Sequence, residues 1–387
     1  MHCSRTGWMR GPCRVDRMRP MVPEVYDAVF VGGGLSATLL LDALRPLPFE
    51  SVAVVDPHPP DERPPIHLSY WSRKPTPYDR HALGVWNRAR VAGREPEQIA
   101  PFTMRLVRST DALADASQAL EHSAVYRLRT TAHSIARRAD GSYVVLTDDG
   151  VLRARWVFDS ACGLDPVFPS PRRPQAVLSG TGIVAVADGP AFDPATATLF
   201  DPLNEASFAY VLPLSPTRAL VESASFGPTG IGKDQEPLLR YLRSKHPGTT
   251  FSVSHAEYGE IPLGFAPRRT SGPRHVLLGT KRGLVKPSAG YGVVRIARES
   301  ERLARLLRRR RLPPSRRSPL PWWPLDAGFV RLAAQDSRLP MALLGRVMGA
   351  IPLAESLGFI DEGISLAQVA PLMRSAAPVV LGQRANP

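Results

Sequence analysis

Cysteine is scarce in this chain: three residues in 387, at Cys3, Cys13 and Cys162. No two are spaced C-x-x-C, which excludes a disulfide framework and argues against structural zinc. No metal is expected. No window of about 18 apolar residues is free of charge, so no membrane-spanning helix is expected. The first 20 residues carry Arg5, Arg10, Arg14, Arg17 and Arg19 but lack the apolar block of a secretory signal. Residues 1–22 are read as a disordered basic extension, with Met21 as an alternative start. Lysine is scarce too: Lys74, Lys233, Lys245, Lys281 and Lys286 are all there are, so arginine dominates the 49 basic residues. Against 35 acids they leave a formal net charge of +14. There is no internal repeat and no nucleic-acid recognition module, so the charge does not point to nucleic acid. These absences fit a reducing, cytoplasmic setting.

What remains is ordinary globular material. Hydrophobic residues make up 43% and charged residues 22%, and the length suits about two to three domains. Proline is in excess, with 40 residues.

The first apolar run, Tyr26 to Val31, reads as a buried strand. Gly32-Gly33-Gly34-Leu35-Ser36-Ala37 follows at once, then an apolar helical stretch from Thr38 to Leu44. Strand, G-x-G-x-x-A and helix form the context of a dinucleotide-binding fingerprint. Gly32 permits the tight turn, Gly34 lets the backbone approach a pyrophosphate, and Ala37 allows close helix–strand packing. The helix start then offers free N–H groups to phosphate. A second strand, Ser51 to Val55, ends in Asp56, placed to bind a ribose. An acid at that point favours FAD or NAD over NADP.

Residues 57–80 are rich in proline and read as an extended loop holding the knot His67-Leu68-Ser69-Tyr70-Trp71-Ser72. Tyr143 to Leu146, the turn Asp148-Asp149-Gly150 and Ala154 to Asp159 read as a hairpin. From 175 to 260 the pattern is mostly strand. Gly279 to Gly292 is glycine-rich, and an amphipathic helix is expected from Val293 to about Arg311. The C-terminal 60 residues look helical, most clearly at Met341–Met348 and Leu366–Met373.

Several blocks together resemble the FAD-binding lycopene cyclase family. They are the VGGGLSA turn, Phe192-Asp193-Pro194, Thr198-Leu199-Phe200-Asp201, the run Phe208 to Glu222, Glu257 to Pro262, and Gly279 through Gly283 to Lys286-Pro287-Ser288-Ala289-Gly290-Tyr291. The similarity spans about residues 25–310 and extends more loosely to 375. The tryptophan-rich loop of bacterial members survives here only as Leu68-Ser69-Tyr70-Trp71-Ser72, and Ser223 stands where plant-type members have a second glutamate.

The resemblance implies an α/β fold: a Rossmann-like FAD-binding domain of the glutathione-reductase/hydroxylase flavoprotein type, an antiparallel β-rich substrate domain and a helical C-terminal region. The expected division is 23–60, 100–165 and 266–310 for the discontinuous FAD domain. Residues 61–99 and 166–265 form the substrate domain, and 311–387 the helical region. The implied activity is proton-initiated, net non-redox closure of the acyclic end group of lycopene to a β-ionone ring. Reduced FAD is implied, with NAD(P)H as reductant. The alternatives are an FAD-dependent monooxygenase or oxidoreductase, or a cyclase of another terpenoid.

An alkene is a very weak base, so its general acid must be a carboxyl held protonated, which burial among apolar groups favours. Glu222 follows Ala219-Leu220-Val221 and matches the family's acid block; it is the first candidate, while Asp201 is a second acid that either receives the final proton or structures a turn. A carbocation is stabilised by π faces: Tyr70, Trp71, Phe208, Tyr210 and Phe226 are the candidates. Gly283, Pro287, Gly290 and Tyr291 are expected to form a late flavin-contacting loop, beside Gly32, Gly34, Ala37 and Asp56 for the dinucleotide. An apolar polyene substrate implies peripheral contact with a membrane surface, and the arginines of 302–317 are the expected lipid-facing patch.

Overall fold

A computed structural model describes residues 24–58, 62, 64–121, 125–161, 176–264, 270–314, 322–361, 363, 370 and 374. Expectations for residues 1–22, Cys162, Arg316–Arg317 and most of Leu366–Met373 lie outside the described residues.

The chain opens with β1 (Tyr26–Val31), α1 (Leu35–Ala43), β2 (Val52–Val55), β3 (His67–Ser72), β4 (Ala82–Trp86), β5 (Arg88–Val91), β6 (Glu97–Gln98), β7 (Thr103–Arg108) and α2 (Ser109–Glu121). There follow β8 (Val125–Leu128), β9 (Ala132–Arg137), β10 (Tyr143–Thr147), β11 (Gly150–Asp159), β12 (Ala176–Ala187), β13 (Thr196–Asn204), β14 (Ser207–Ser215) and β15 (Arg218–Gly227). The rest is α3 (Glu236–Lys245), β16 (Phe251–Leu263), β17 (His275–Leu277), α4 (Val293–Arg308), α5 (Trp322–Gln335), α6 (Arg338–Ala350) and α7 (Leu353–Ile360).

The first sheet runs β8-β2-β1-β11-β10-β9, with β17 also paired to β11. Strands β8, β2, β1, β11 and β17 are parallel, and the β10–β11 hairpin closes Thr147 against Gly150. A parallel strand covered on both faces must be apolar along its length. The run Ala28-Val29-Phe30-Val31 meets that condition and is buried throughout. On one face Leu40, Leu41 and Leu44 of α1 meet Leu303, Ala304 and Leu307 of α4 over Phe30 and Phe158. Each such buried side chain contributes roughly 1.5–3 kcal/mol.

The second sheet, β16-β12-β15-β14-β13-β5-β6, is antiparallel except where β13 meets β5. One face carries Leu178, Val184, Phe208, Leu212, Leu220 and Phe226, packed beneath Phe329, Met341 and Leu344 of the C-terminal helices. The other face carries Ile183, Ala209, Val211 and Val221 beneath Leu238 and Leu242 of α3.

Two readings change. The knot at 67–72 is not loop: it is β3, paired along its length with β7 in a three-stranded sheet β3-β7-β4. A domain boundary at 99/100 therefore cuts through a sheet, because β7 follows it and β3 and β4 precede it. The amphipathic helix after Gly292 stops at Arg308 rather than near Arg311. No helix among the described residues is long and apolar enough to cross a membrane.

Candidate active site

The glycine turn is shaped by what surrounds it. Gly32 has φ +88°, and a Cβ there would stand 2.4 Å from the Ser160 hydroxyl. Gly34 caps α1 without a side-chain hydrogen bond, and no acid lies in the first turn, so the helix start presents backbone N–H groups and a positive dipole end. Ala37 is fully buried. The Gly33 N–H donates to Asp56 Oδ2 at 2.6 Å, which holds this acid over the turn from the end of β2. Four residues proposed for a dinucleotide thus meet in one place, and the open backbone fits a pyrophosphate.

The late loop comes to the same helix. Gly279, with φ +54°, faces Ser36 of α1 so closely that a Cβ would lie 2.8 Å from its hydroxyl. Gly283 (φ +71°) ends a 3-10 turn, and Gly290 (φ +74°) lies under Leu178 of β12 with no room for a Cβ. Pro287 is buried. Beneath the loop Lys286 Nζ meets Asp326 Oδ2 at 2.8 Å, both 2% exposed, which ties the loop to α5. Trp71, Lys286, Tyr291 and the start of α4 enclose a small recess.

Alternation along β3 turns His67, Ser69 and Trp71 to one face. Trp71 meets Tyr291 at a ring-centroid distance of 3.9 Å. Ser69 Oγ lies 2.9 Å from the Tyr210 hydroxyl. Tyr210 stands directly opposite Glu222 in the β14–β15 register. Burial, then the charge of Glu222, push the Tyr210 phenol up. Burial, then Glu222, act on Tyr291 in the same direction.

Glu222 has a second partner. Gly182 of β12 registers with Glu222 on one side and Glu257 of β16 on the other. Two strand spacings separate the acids, about 9.6 Å of backbone. The bare glycine lets their side chains reach over it: a Cβ there would lie 2.9 Å from Glu257 Cγ and 3.1 Å from Glu222 Cγ. The two side chains therefore converge on the same spot above Gly182. Burial first, then the charge of Glu257, push Glu222 up to about 8. Burial would raise Glu257 as well, but hydrogen bonds and charge from His67 outweigh it and hold Glu257 below its ordinary value. His67 places Nδ1 2.9 Å and its backbone N–H 3.0 Å from Glu257 Oε2. Burial thus favours the protonated form at Glu222, while His67 favours the ionised form at Glu257. Glu222 keeps some accessible surface although packed groups surround it.

The other candidates lie apart. Asp201 registers with Ala209, on the α3 face of the sheet, opposite to Glu222. It accepts from the Tyr241 hydroxyl at 2.8 Å and pairs with Lys245 at 2.8 Å, beside a separate cavity of about 410 Å³. Tyr70, adjacent to Trp71, points the other way, and its hydroxyl is engaged by Thr76 and Asp79. Phe226 is 1% exposed and packs edge-on against Phe329 at 5.0 Å, a core contact. Phe208 links Phe200 to Phe226, also packed against the core. Among the described residues, His67, His255 and Glu257 bring three possible metal-ligand atoms within 4.8 Å. Glu257 already accepts N–H donors from His67 there, so hydrogen bonding accounts for the cluster.

Glu257, His67, Ser69 and Gly182 were not singled out from sequence for the site. The one available signal was glycine inside an apolar strand, which often marks a close approach.

The profile of the family described as "Lycopene cyclase protein" matches residues 27–335. No curated protein matches the chain significantly. Among solved structures, a geranylgeranyl bacteriochlorophyll reductase-like protein from Thermoplasma acidophilum aligns at TM-score 0.56 and 14% identity, over 94% of this chain and 99% of that one. A flavoprotein/dehydrogenase from Cytophaga hutchinsonii aligns at 0.57 and 15%, over 93% and 100%. The halogenase PltM, solved with phloroglucinol and FAD, aligns at 0.54 and 13%, over 94% and 93%. These likenesses establish the flavoprotein-type α/β fold.

Proposed function

The chain belongs to the lycopene cyclase family, and on that premise we propose that it closes the acyclic end group of lycopene, or of a closely related apolar polyene, to a β-ionone ring. The observation that carries this reading is the meeting of Glu222 and Glu257 over Gly182, where burial raises the Glu222 carboxyl and His67, hydrogen-bonded to Glu257, lowers its partner. Glu222 gives its proton to the terminal alkene, whose π electrons form the new C–H bond. The neighbouring double bond attacks the resulting cation and closes a six-membered ring. A carboxylate of the pair then takes a proton from the ring, and that C–H electron pair becomes the final double bond. Atoms and electrons balance with no net redox change. Tyr210, opposite Glu222 and bonded to Ser69, would orient the acid, and the aromatic pair Trp71–Tyr291 would offer π density to the developing positive charge.

Gly32, Gly34, Ala37 and Asp56 would hold the dinucleotide part of FAD, and Gly283, Pro287, Gly290 and Tyr291 would contact the flavin end. Reduced FAD, kept so by NAD(P)H, would supply an electron-rich ring system beside a cationic substrate. The enzyme would act in the cytoplasm at a membrane surface. Exposed Arg309, Arg310 and Arg311 with Leu312 support that contact.

Expression in lycopene-accumulating cells with chromatographic pigment analysis tests the proposal. Cyclised pigment is expected. Unchanged lycopene alongside flavin-loaded protein would overturn it, and stoichiometric NAD(P)H and oxygen consumption would favour a monooxygenase.

A further inference from the structure

Cyclisation leaves the enzyme with a proton to exchange. The proton that Glu222 places on the alkene carbon stays in the product. A different proton, from the ring, returns to the carboxyl pair. Unless that proton leaves, it is handed to the next substrate. The substrate side of Glu222 is no exit during turnover, because an apolar polyene must occupy it.

Another exit lies along the sheet. Among the described residues, strand β16 is the edge of the second sheet, paired with β12. Its His255 side chain is 30% exposed, whereas Glu257 is 9% and His67 6% exposed. His255 Nε2 lies 3.3 Å from Glu257 Oε2, and the side chains of Glu257 and Glu222 converge over Gly182. Solvent, imidazole, carboxylate and buried carboxyl therefore follow one another in order. His67 is not in the line. Its ring and backbone N–H groups fix Glu257 from the β3 side, and its ring meets that of His255 edge-on at 5.5 Å. An imidazole between solvent and a carboxylate can accept a proton on one nitrogen and release it from the other.

We propose that His255, Glu257 and Glu222 form a proton path from solvent across the edge of the substrate sheet, with His67 as the residue that positions its middle member. This rests on the reading of Glu222 as general acid. In each cycle the ring proton reaches Glu257 or Glu222, passes between them where their side chains converge, and leaves through His255. A solvent proton returns by the same route to Glu222.

The test is deuterium content of the cyclised product made by the flavin-loaded protein in D2O. Wild type should place about one deuterium per ring at the protonated carbon, because the acid equilibrates with solvent between turnovers. In His255→Phe the substrate-derived proton is recycled, and label per ring should fall at least about threefold. His67→Ala should lower the label as well, and His67→Asn, which restores an N–H donor, should recover it. Loss of packing alone would change yield without changing label per ring. Full label in His255→Phe would overturn the path. Failure of wild type to form a ring would instead overturn the role of Glu222. If His255→Phe makes no product, infrared spectroscopy with cyclised product bound decides. The protonated-carboxyl stretch of Glu222 should shift on transfer to D2O more slowly than in wild type, and an equal rate would refute the path.

Discussion

Gly182→Ala is the substitution that separates the fold from the chemistry. Gly182 sits in an ordinary strand conformation, where alanine is favoured over glycine by roughly 0.5–1 kcal/mol. The new Cβ would stand 2.9 Å from Glu257 Cγ and 3.1 Å from Glu222 Cγ and Oε1. Both neighbours are side chains that can rotate, so the backbone need not move. What must give is the convergence of the two side chains. A charge-assisted hydrogen bond formed there would be worth about 1.5–3 kcal/mol. At 1.4 kcal/mol per factor of ten, that corresponds to a roughly 10–100-fold loss of turnover. The thermal midpoint should stay within a few degrees, since packing and backbone effects are of similar size and opposite sign. Parting the acids also removes the second cause that raises Glu222, so the alkaline limb of the pH profile should move to lower pH. Initial rates of ring formation from pH 6 to 10, with a melting curve on the same sample, measure all three. Wild-type turnover with an unmoved alkaline limb would refute the claim that the pair acts as a unit.

In the wild type, turnover should be present below about pH 8 and fall as pH rises through it, because the acid form of Glu222 is the reactive one. The same raised value means that this group stabilises the fold below the ordinary carboxyl range and that the contribution is lost as pH rises through about 8; denaturation series across that range should show the decline. Asp201→Asn should leave turnover within about twofold of wild type, since Asp201 serves Tyr241 and Lys245 on the opposite face; a loss as deep as that of Glu222→Gln would contradict this placement. Replacing Arg309, Arg310 and Arg311 by glutamine should weaken co-sedimentation with anionic liposomes by up to roughly 100-fold at low salt, at about 1 kcal/mol per arginine. Arg308 must be kept, because its guanidinium donates to the carbonyls of Ala43 and Arg45 at the end of α1; unchanged sedimentation would end the lipid proposal.

The parts of the molecule legible in sequence are those that local chemistry decides. Tyr26 to Ala37 announced strand, turn and helix because apolar run, glycines and small residue follow one another within a few positions. Glu222 is singled out because it follows three apolar residues on a strand and its block matches the family pattern. Trp71, Tyr210 and Tyr291 do gather near it. What was not legible depends on register. Tyr70 and Trp71 are neighbours in sequence and lie on opposite faces. Asp201 faces α3 because it pairs with Ala209 rather than with a residue one step along. His67 meets Glu257 across 190 residues of sequence, and Glu222 meets Glu257 over a glycine in a third strand. No spacing rule along the chain encodes that meeting; sheet order creates it. The basic C-terminal end of α4 is a similar case, since composition cannot tell Arg308, spent on capping α1, from the arginines beyond it.

The central claim is that Glu222 protonates a polyene alkene without net redox change. The most direct measurement is an anaerobic incubation of the purified protein, loaded with reduced FAD, with lycopene. Pigment chromatography and the flavin spectrum are followed together, with Glu222→Gln in parallel. The account predicts β-ring product with the flavin still reduced, and product formation at least about 100-fold lower in the variant. Flavin oxidised in step with product, or undiminished cyclisation by Glu222→Gln, would contradict it.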